Sequence, residues 1–290
     1  LPSMPAMVRA RWTVLLRGTP QLQTAYALEA VLDDVCFIVG PPLSVGLSMV
    51  LFPEAGPLAA SLLLLVGVAL FVAQRRTEPP VDTSQQRTRQ QSLARHPVVR
   101  TLALFMLAQG IIVGTIDVAS VAFATQQGQP AAASIVLSFY ALGSCVMGLV
   151  FGTLRLKAPL HRQIAWVGAS VCITAVPLLL ATNVFTLTLA VLLAGITFGP
   201  TITVAMGLVE QQVPHQRLTE GMTWLLTGIA MGVALGAAAA GWATDLWGAR
   251  ISFVVALLAG VAMWALGVLA ARQARAKESP PAEDAAAACT

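Results

Sequence analysis

Four acidic side chains stand where acids are costly. Glu29, Asp33 and Asp34 fall inside a long apolar run early in the chain, and Asp117 falls inside a later one. A charge at the centre of a membrane helix costs about 2.5–3.5 kcal/mol by insertion scales, so each needs a reason to be there. Glu29 and Asp33 lie one helical turn apart and share a face, while Asp34 points about 100° away. Two carboxylates on one face resist simultaneous ionisation, the property a proton carrier requires. The competing role is a clamp, in which each acid is held by a basic side chain of a neighbouring helix. No Lys or Arg lies deep within any apolar run of this chain, so the partner in a clamp would come from sequence outside it. Asp117, in Gly110-Ile-Ile-Val-Gly114-Thr-Ile-Asp117, lies about 28 Å along its run, near one mouth of the membrane. It reads either as an interfacial acid or as a substrate or proton contact at a cavity rim.

Other chemistry is missing. There is no H-E-x-x-H, no G-x-S-x-G and no phosphate-binding loop. His96, His161, His215, Lys157 and Lys277 all lie outside the apolar runs. Cys36, Cys145 and Cys172 lie within them, Cys289 lies near the end, and no C-x-x-C pair occurs. The expectation is a protein that is not an enzyme and that holds no metal, cofactor or disulfide framework.

The elements that must position the acids are membrane helices. The chain is 57% hydrophobic and 10% charged, against about 25% charged in a soluble domain. Runs such as Leu58–Ala73, Ile164–Ala181 and Ile251–Ala271 contain no charge. About 20 such residues cross the roughly 30 Å hydrocarbon core as a helix, and the absence of period-2 alternation excludes a barrel. Eight spans are predicted: Leu22–Leu51, Glu54–Ala73, Val98–Thr125, Ala131–Leu154, Ile164–Ala181, Val184–Val209, Leu218–Thr244 and Ile251–Ala271. Two contain helix-disturbing pairs, Gly40-Pro41-Pro42 in the first and Gly199-Pro200 in the sixth. Proline deletes a helical hydrogen bond, and broken helices near the midplane often surround transport sites. The seventh carries Gly228, Gly232 and Gly236, a flat stripe for close helix approach.

Charge fixes the orientation. With these spans, sixteen of the seventeen basic residues fall on one side of the membrane, and only Arg250 falls on the other. The positive-inside rule makes both termini and the basic connections cytoplasmic. A nucleic-acid partner is not expected, because the basic charge is orientation signal. Residues 75–97 form a Pro-, Gln- and Arg-rich cytoplasmic linker between two helices, in 1–74, and six, in 98–273. Residues 274–290 are expected to be a disordered cytoplasmic tail.

The pattern resembles the major facilitator superfamily, in particular its bacterial drug-efflux-like members. Met7-Val-Arg-Ala-Arg-Trp12 is similar to the family's connection after its fourth helix. Gly40-Pro41-Pro42 falls where antiporter members carry Gly-Pro, although Ser44-Val45 stands in place of their glycine pair and Gly46 comes one place late. Gly241-Trp-Ala-Thr-Asp245-Leu-Trp-Gly248-Ala-Arg250 resembles the G-x-x-x-D-x-x-G-x-R loop motif, in the copy before the last helix. The resemblance implies an all-α integral membrane protein with a partial superfamily fold, its eight spans corresponding to the family's fifth to twelfth. The opening Leu1 and the split of two helices plus six then imply a fragment lacking earlier spans. The implied function is secondary transport of a small molecule by alternating access, as proton-coupled drug or metabolite efflux in the plasma membrane. Its partners would be the lipid bilayer, a small-molecule substrate and protons. By analogy the third and sixth spans line the cavity, the first, fourth and seventh form the sliding contact, and Asp245 and Arg250 latch two helices together. The rival expectation is a complete eight-helix permease subunit or membrane scaffold.

Overall fold

The computed structural model describes residues 21–74, 96–153, 158–213 and 217–278, together with Val8, Arg11, Trp12, Leu15 and Leu16. Within these ranges the side chains of residues 21–31, Asp33, Asp34, Phe37, 152–153, 218–219 and 276–278 lie outside the description. Residues 75–95 of the predicted linker and 279–290 of the predicted tail also lie outside the described residues. The chain divides into two compact units, Leu1–Gln90 and Gln91–Thr290.

The first unit contains α1, Gln21–Val50, and α2, Ala55–Ala73. Both prolines of the Gly-Pro-Pro triplet lie inside α1, which runs on without interruption. The expected break at Gly40, Pro41 and Pro42 is therefore not present. The two missing N–H groups are adjacent in sequence, and the flanking turns keep their helical geometry around them. α2 packs on α1 at its first turn, where a Cβ added at Gly56 would strike the Ser44 carbonyl. The Gly56 N–H donates to the Ser48 Oγ at 3.2 Å. Beyond that turn Leu58 and Leu62–Leu65 are exposed, as a helix solvated by lipid would be. At the other end of α2 the Arg11 guanidinium stacks 3.7 Å over the Phe71 ring and donates to the Phe71 carbonyl at 2.9 Å.

The second unit contains α3 Pro97–Gln126, α4 Ala132–Thr153, α5 Leu160–Leu180, α6 Val184–Ile196, α7 Phe198–Gln212, α8 Leu218–Trp247 and α9 Ala249–Glu278. The sixth predicted span is thus two helices, and the last continues past its predicted end at Ala271 to Glu278. That extension carries Arg272 and Arg275, which favour a helix C-terminus. No strand occurs among the described residues, and seven of the predicted spans are long and apolar enough to cross a membrane, α6 and α7 together counting as one. Ile38–Val50 of α1 is a shorter apolar stretch.

α3 is the centre of this unit: 61% of its most apolar stretch is buried, against 17% for α4. Its Leu102, Phe105 and Met106 pack in one core with Ile164, Leu208, Phe253 and Met263. At the end with short connections the helices are tied by polar contacts. Asn183 and Thr186 form a reciprocal capping box that fixes the start of α6. Gln127 donates to the Thr182 carbonyl at 3.4 Å, and Arg250 Nε donates to the Leu179 carbonyl at 2.8 Å. At the opposite end Thr101 Oγ1 donates to Gln273 Oε1 at 3.0 Å, joining the start of α3 to the end of α9.

Candidate functional site

The discontinuity between α6 and α7 is the natural place to look for a site. Thr197 is a turn residue between the two helices, about 20 Å along from Val184 and so close to the midplane of the span. Its hydroxyl donates to the Ala194 carbonyl at 2.7 Å, and the Thr201 hydroxyl donates to the Thr197 carbonyl at 2.7 Å. Both carbonyls also accept a backbone N–H, that of Thr197 and that of Thr201. Gly199 and Pro200 lie in the first turn of α7, directly after the break, where the proline has no N–H to give the Ile196 carbonyl that ends α6. A proline costs little there, because first-turn N–H groups have no helical acceptor anyway. Gly199 has a packing duty instead: a Cβ there would stand 2.9 Å from Gly148 Cα of α4.

Two polar groups that the sequence reading did not single out converge beside this break. Tyr140 of α4 packs its ring against Phe198, the first residue of α7, with centroids 5.9 Å apart. Its backbone closes on Gly195, just before the break, where a Cβ would strike the Tyr140 carbonyl. Gln109 of α3 is 1% exposed. The Gln109 side chain is the hydrogen-bonding neighbour of the Tyr140 hydroxyl. Yet Gln109 Oε1 and the Tyr140 oxygen are both buried with no well-formed hydrogen bond. An unsatisfied buried polar group costs about 1–3 kcal/mol, so such a pair invites a ligand or water. The available signal was a lone carboxamide in an otherwise apolar run, and one of two tyrosines.

The other expected residues are dispersed. Glu29, Asp33 and Asp34 lie on the backbone of α1, and their side chains are outside the described residues. Asp117 is exposed on α3. Gly241 and Asp245 lie near the end of α8, and Gly248 turns the chain into α9 with φ +88°, a left-handed value that suits glycine. No ion pair joins Asp245 to Arg250 among the described residues; the arginine binds the Leu179 carbonyl instead. The described residues contain no cluster of potential metal ligands. A cavity of about 400 Å³ lies between α4 and α6, but its walls, among them Ile135, Phe139, Phe185 and Leu189, are apolar. Those four side chains are exposed, and the groove belongs to the lipid-facing belt, not to the polar pair.

Membrane-length helices, a helix divided at mid-span and a buried polar pair beside the division define a polytopic membrane protein of the transporter class. The family model for the Major Facilitator Superfamily matches residues 118–289. The chain belongs to that superfamily. The match runs from within α3 to the tail, so it takes in the divided helix and the loop motif. No curated protein matches the chain.

Proposed function

We propose that this chain serves a secondary transporter that moves a small organic solute by alternating access, with the solute held beside the break at Thr197. The observation that carries the reading is the buried Gln109 Oε1 and Tyr140 hydroxyl next to that break, neither with a well-formed hydrogen bond. A solute offering both a donor and an acceptor would satisfy the two, with Phe198 giving it an apolar wall. This chemistry suits an amphipathic metabolite or drug-like molecule. α3–α9 would form the six-span half, and α1 and α2 the last two spans of the other half, in a plasma membrane with both termini cytoplasmic.

The test is solute transport by the natural full-length protein in proteoliposomes, first with a solute panel and then with variants. Tyr140→Phe removes one of the two oxygens, and Gln109→Leu removes the other. Since neither oxygen has a well-formed hydrogen bond within the fold, thermal stability should change little. Transport of the preferred solute should fall about tenfold for each, the worth of one directed hydrogen bond. Undiminished transport by both variants would remove the polar pair from the site.

A further inference from the structure

At the end of the second unit opposite the short connections, α5 and α9 enclose a cavity of about 200 Å³ lined by His161, Arg162, Trp166, Val268, Arg272 and Arg275 among others. The two helices are held rigidly just above it. A Cβ added at Gly168 would lie 3.1 Å from Trp264 Cα, and one at Gly267 would lie 2.9 Å from the Ile164 carbonyl. Beyond these contacts the cavity is lined by three guanidiniums from two elements. Among the described residues no acidic side chain pairs with Arg162, Arg272 or Arg275. All three are exposed. Arg272 lies about 35 Å along α9 from Ala249, just past the roughly 30 Å hydrocarbon core. Trp166 is 62% exposed and sits about 9 Å into α5, at the depth where indoles mark the membrane interface.

From this geometry we infer that the α5–α9 cavity binds the phosphodiester headgroup of an anionic membrane phospholipid, with an acyl chain lying along Trp166 and Val268. The arginines supply charge-assisted, fork-shaped donors for the phosphate oxygens. A zwitterionic headgroup fits less well, because its ammonium would enter the field of three guanidiniums. The apolar wall of Trp166 and Val268 distinguishes a lipid from a soluble phosphate, which gains nothing from them. Basic clefts between membrane helices at the headgroup level are suited to this role.

The experiment uses the full chain purified in neutral detergent, with bound lipid read by native mass spectrometry and thermal unfolding. The probes are phosphatidylglycerol, phosphatidylcholine and free glycerol phosphate. Phosphatidylglycerol should be held about tenfold more tightly than phosphatidylcholine or better, and should raise the unfolding temperature. The triple change R162Q/R272Q/R275Q should abolish that preference and leave phosphatidylcholine binding as it was. Trp166→Ala should weaken both lipids. Equal retention of the two lipids by the unaltered chain would overturn the inference, as would a preference that survives the triple change. Stabilisation by glycerol phosphate equal to that by phosphatidylglycerol would also overturn it, by making the cavity a soluble-anion site. If the triple variant does not fold, Arg272→Gln alone decides. It should cut the preference about fivefold, the effect of one arginine at an anionic surface, and no change would overturn the inference.

Discussion

Arg250 Nε donates a 2.8 Å hydrogen bond to the backbone of another helix. The Leu179 carbonyl at the end of α5 is a backbone group 71 residues away, and no side-chain pattern announces it. Arg250→Gln should lower the chain's stability by about 1 kcal/mol in thermal unfolding, since a charge-assisted bond at an exposed site is lost. Asp245→Asn should stay within about 0.5 kcal/mol of the unaltered chain. An equal loss from both changes would restore the acid–arginine latch implied by the motif. The acids of α1 are a different case. Their spacing was legible, and we propose Glu29 and Asp33 as the coupling pair because they share a face in a helix without a visible basic partner. Glu29→Gln or Asp33→Asn should then abolish transport driven by a pH gradient in the full-length protein, while exchange at equal pH continues. Asp34→Asn should be milder. PH-driven transport that persists in both variants would exclude the pair.

At the scale of elements, the apolar runs located α1 to α9, with α6 and α7 read as one, and the corrections come from proline and glycine. The same residue types act in opposite ways: Gly40-Pro41-Pro42 lies within an unbroken α1, whereas the sixth span divides at Thr197, before its proline. Composition marks where a helix can be disturbed; the packing on either side decides whether it is. The glycine stripe of α8 was readable as a flat face, but its partner was not. That partner is α3, whose own Gly110 and Gly114 lie against the Ile229 and Val233 carbonyls, while Gly228, Gly232 and Gly236 lie against those of Ala103, Leu107 and Ile111. The stripe on α8 therefore holds two helices of one unit together, where the family analogy had a sliding contact between halves. Gly232→Val should cost about 3 kcal/mol or more, because the three nearest atoms, of Leu107, Gly110 and Ile111, are all backbone and cannot turn aside. Gly241→Val, with nothing within 4 Å of an added Cβ, should cost little beyond its effect on helix propensity. Similar losses at the two positions, compared by thermal unfolding in detergent, would rule out the backbone contact as the cause.

For the whole molecule, the spans and the distribution of charge were sufficient to assign a polytopic membrane protein, and the family match agrees. The side of each connection is a proposal resting on the sixteen-to-one division of basic residues. Single cysteines at Gln85 and Gln127, in a background lacking the native cysteines, should react with impermeant reagent from opposite faces of the membrane. Reaction from the same face would require a different number of crossings between them. The candidate site was less legible than the topology. Gln109 and Tyr140 belong to different helices, and only the chain path that brings α4 to both α3 and the start of α7 unites them.

The backbone contact between α3 and α8 has a mechanical consequence. Contacts made through side chains yield by changing rotamers, so a displacement on one helix is partly absorbed before it reaches the next. Where carbonyl meets glycine there are no rotamers to change, and the joint behaves as a stiff coupling. Gln109 is the residue next to Gly110, one of the teeth of that coupling. A shift of α8 along its length would therefore arrive at the Gln109 carboxamide with little loss of amplitude, as motion does between meshed gears.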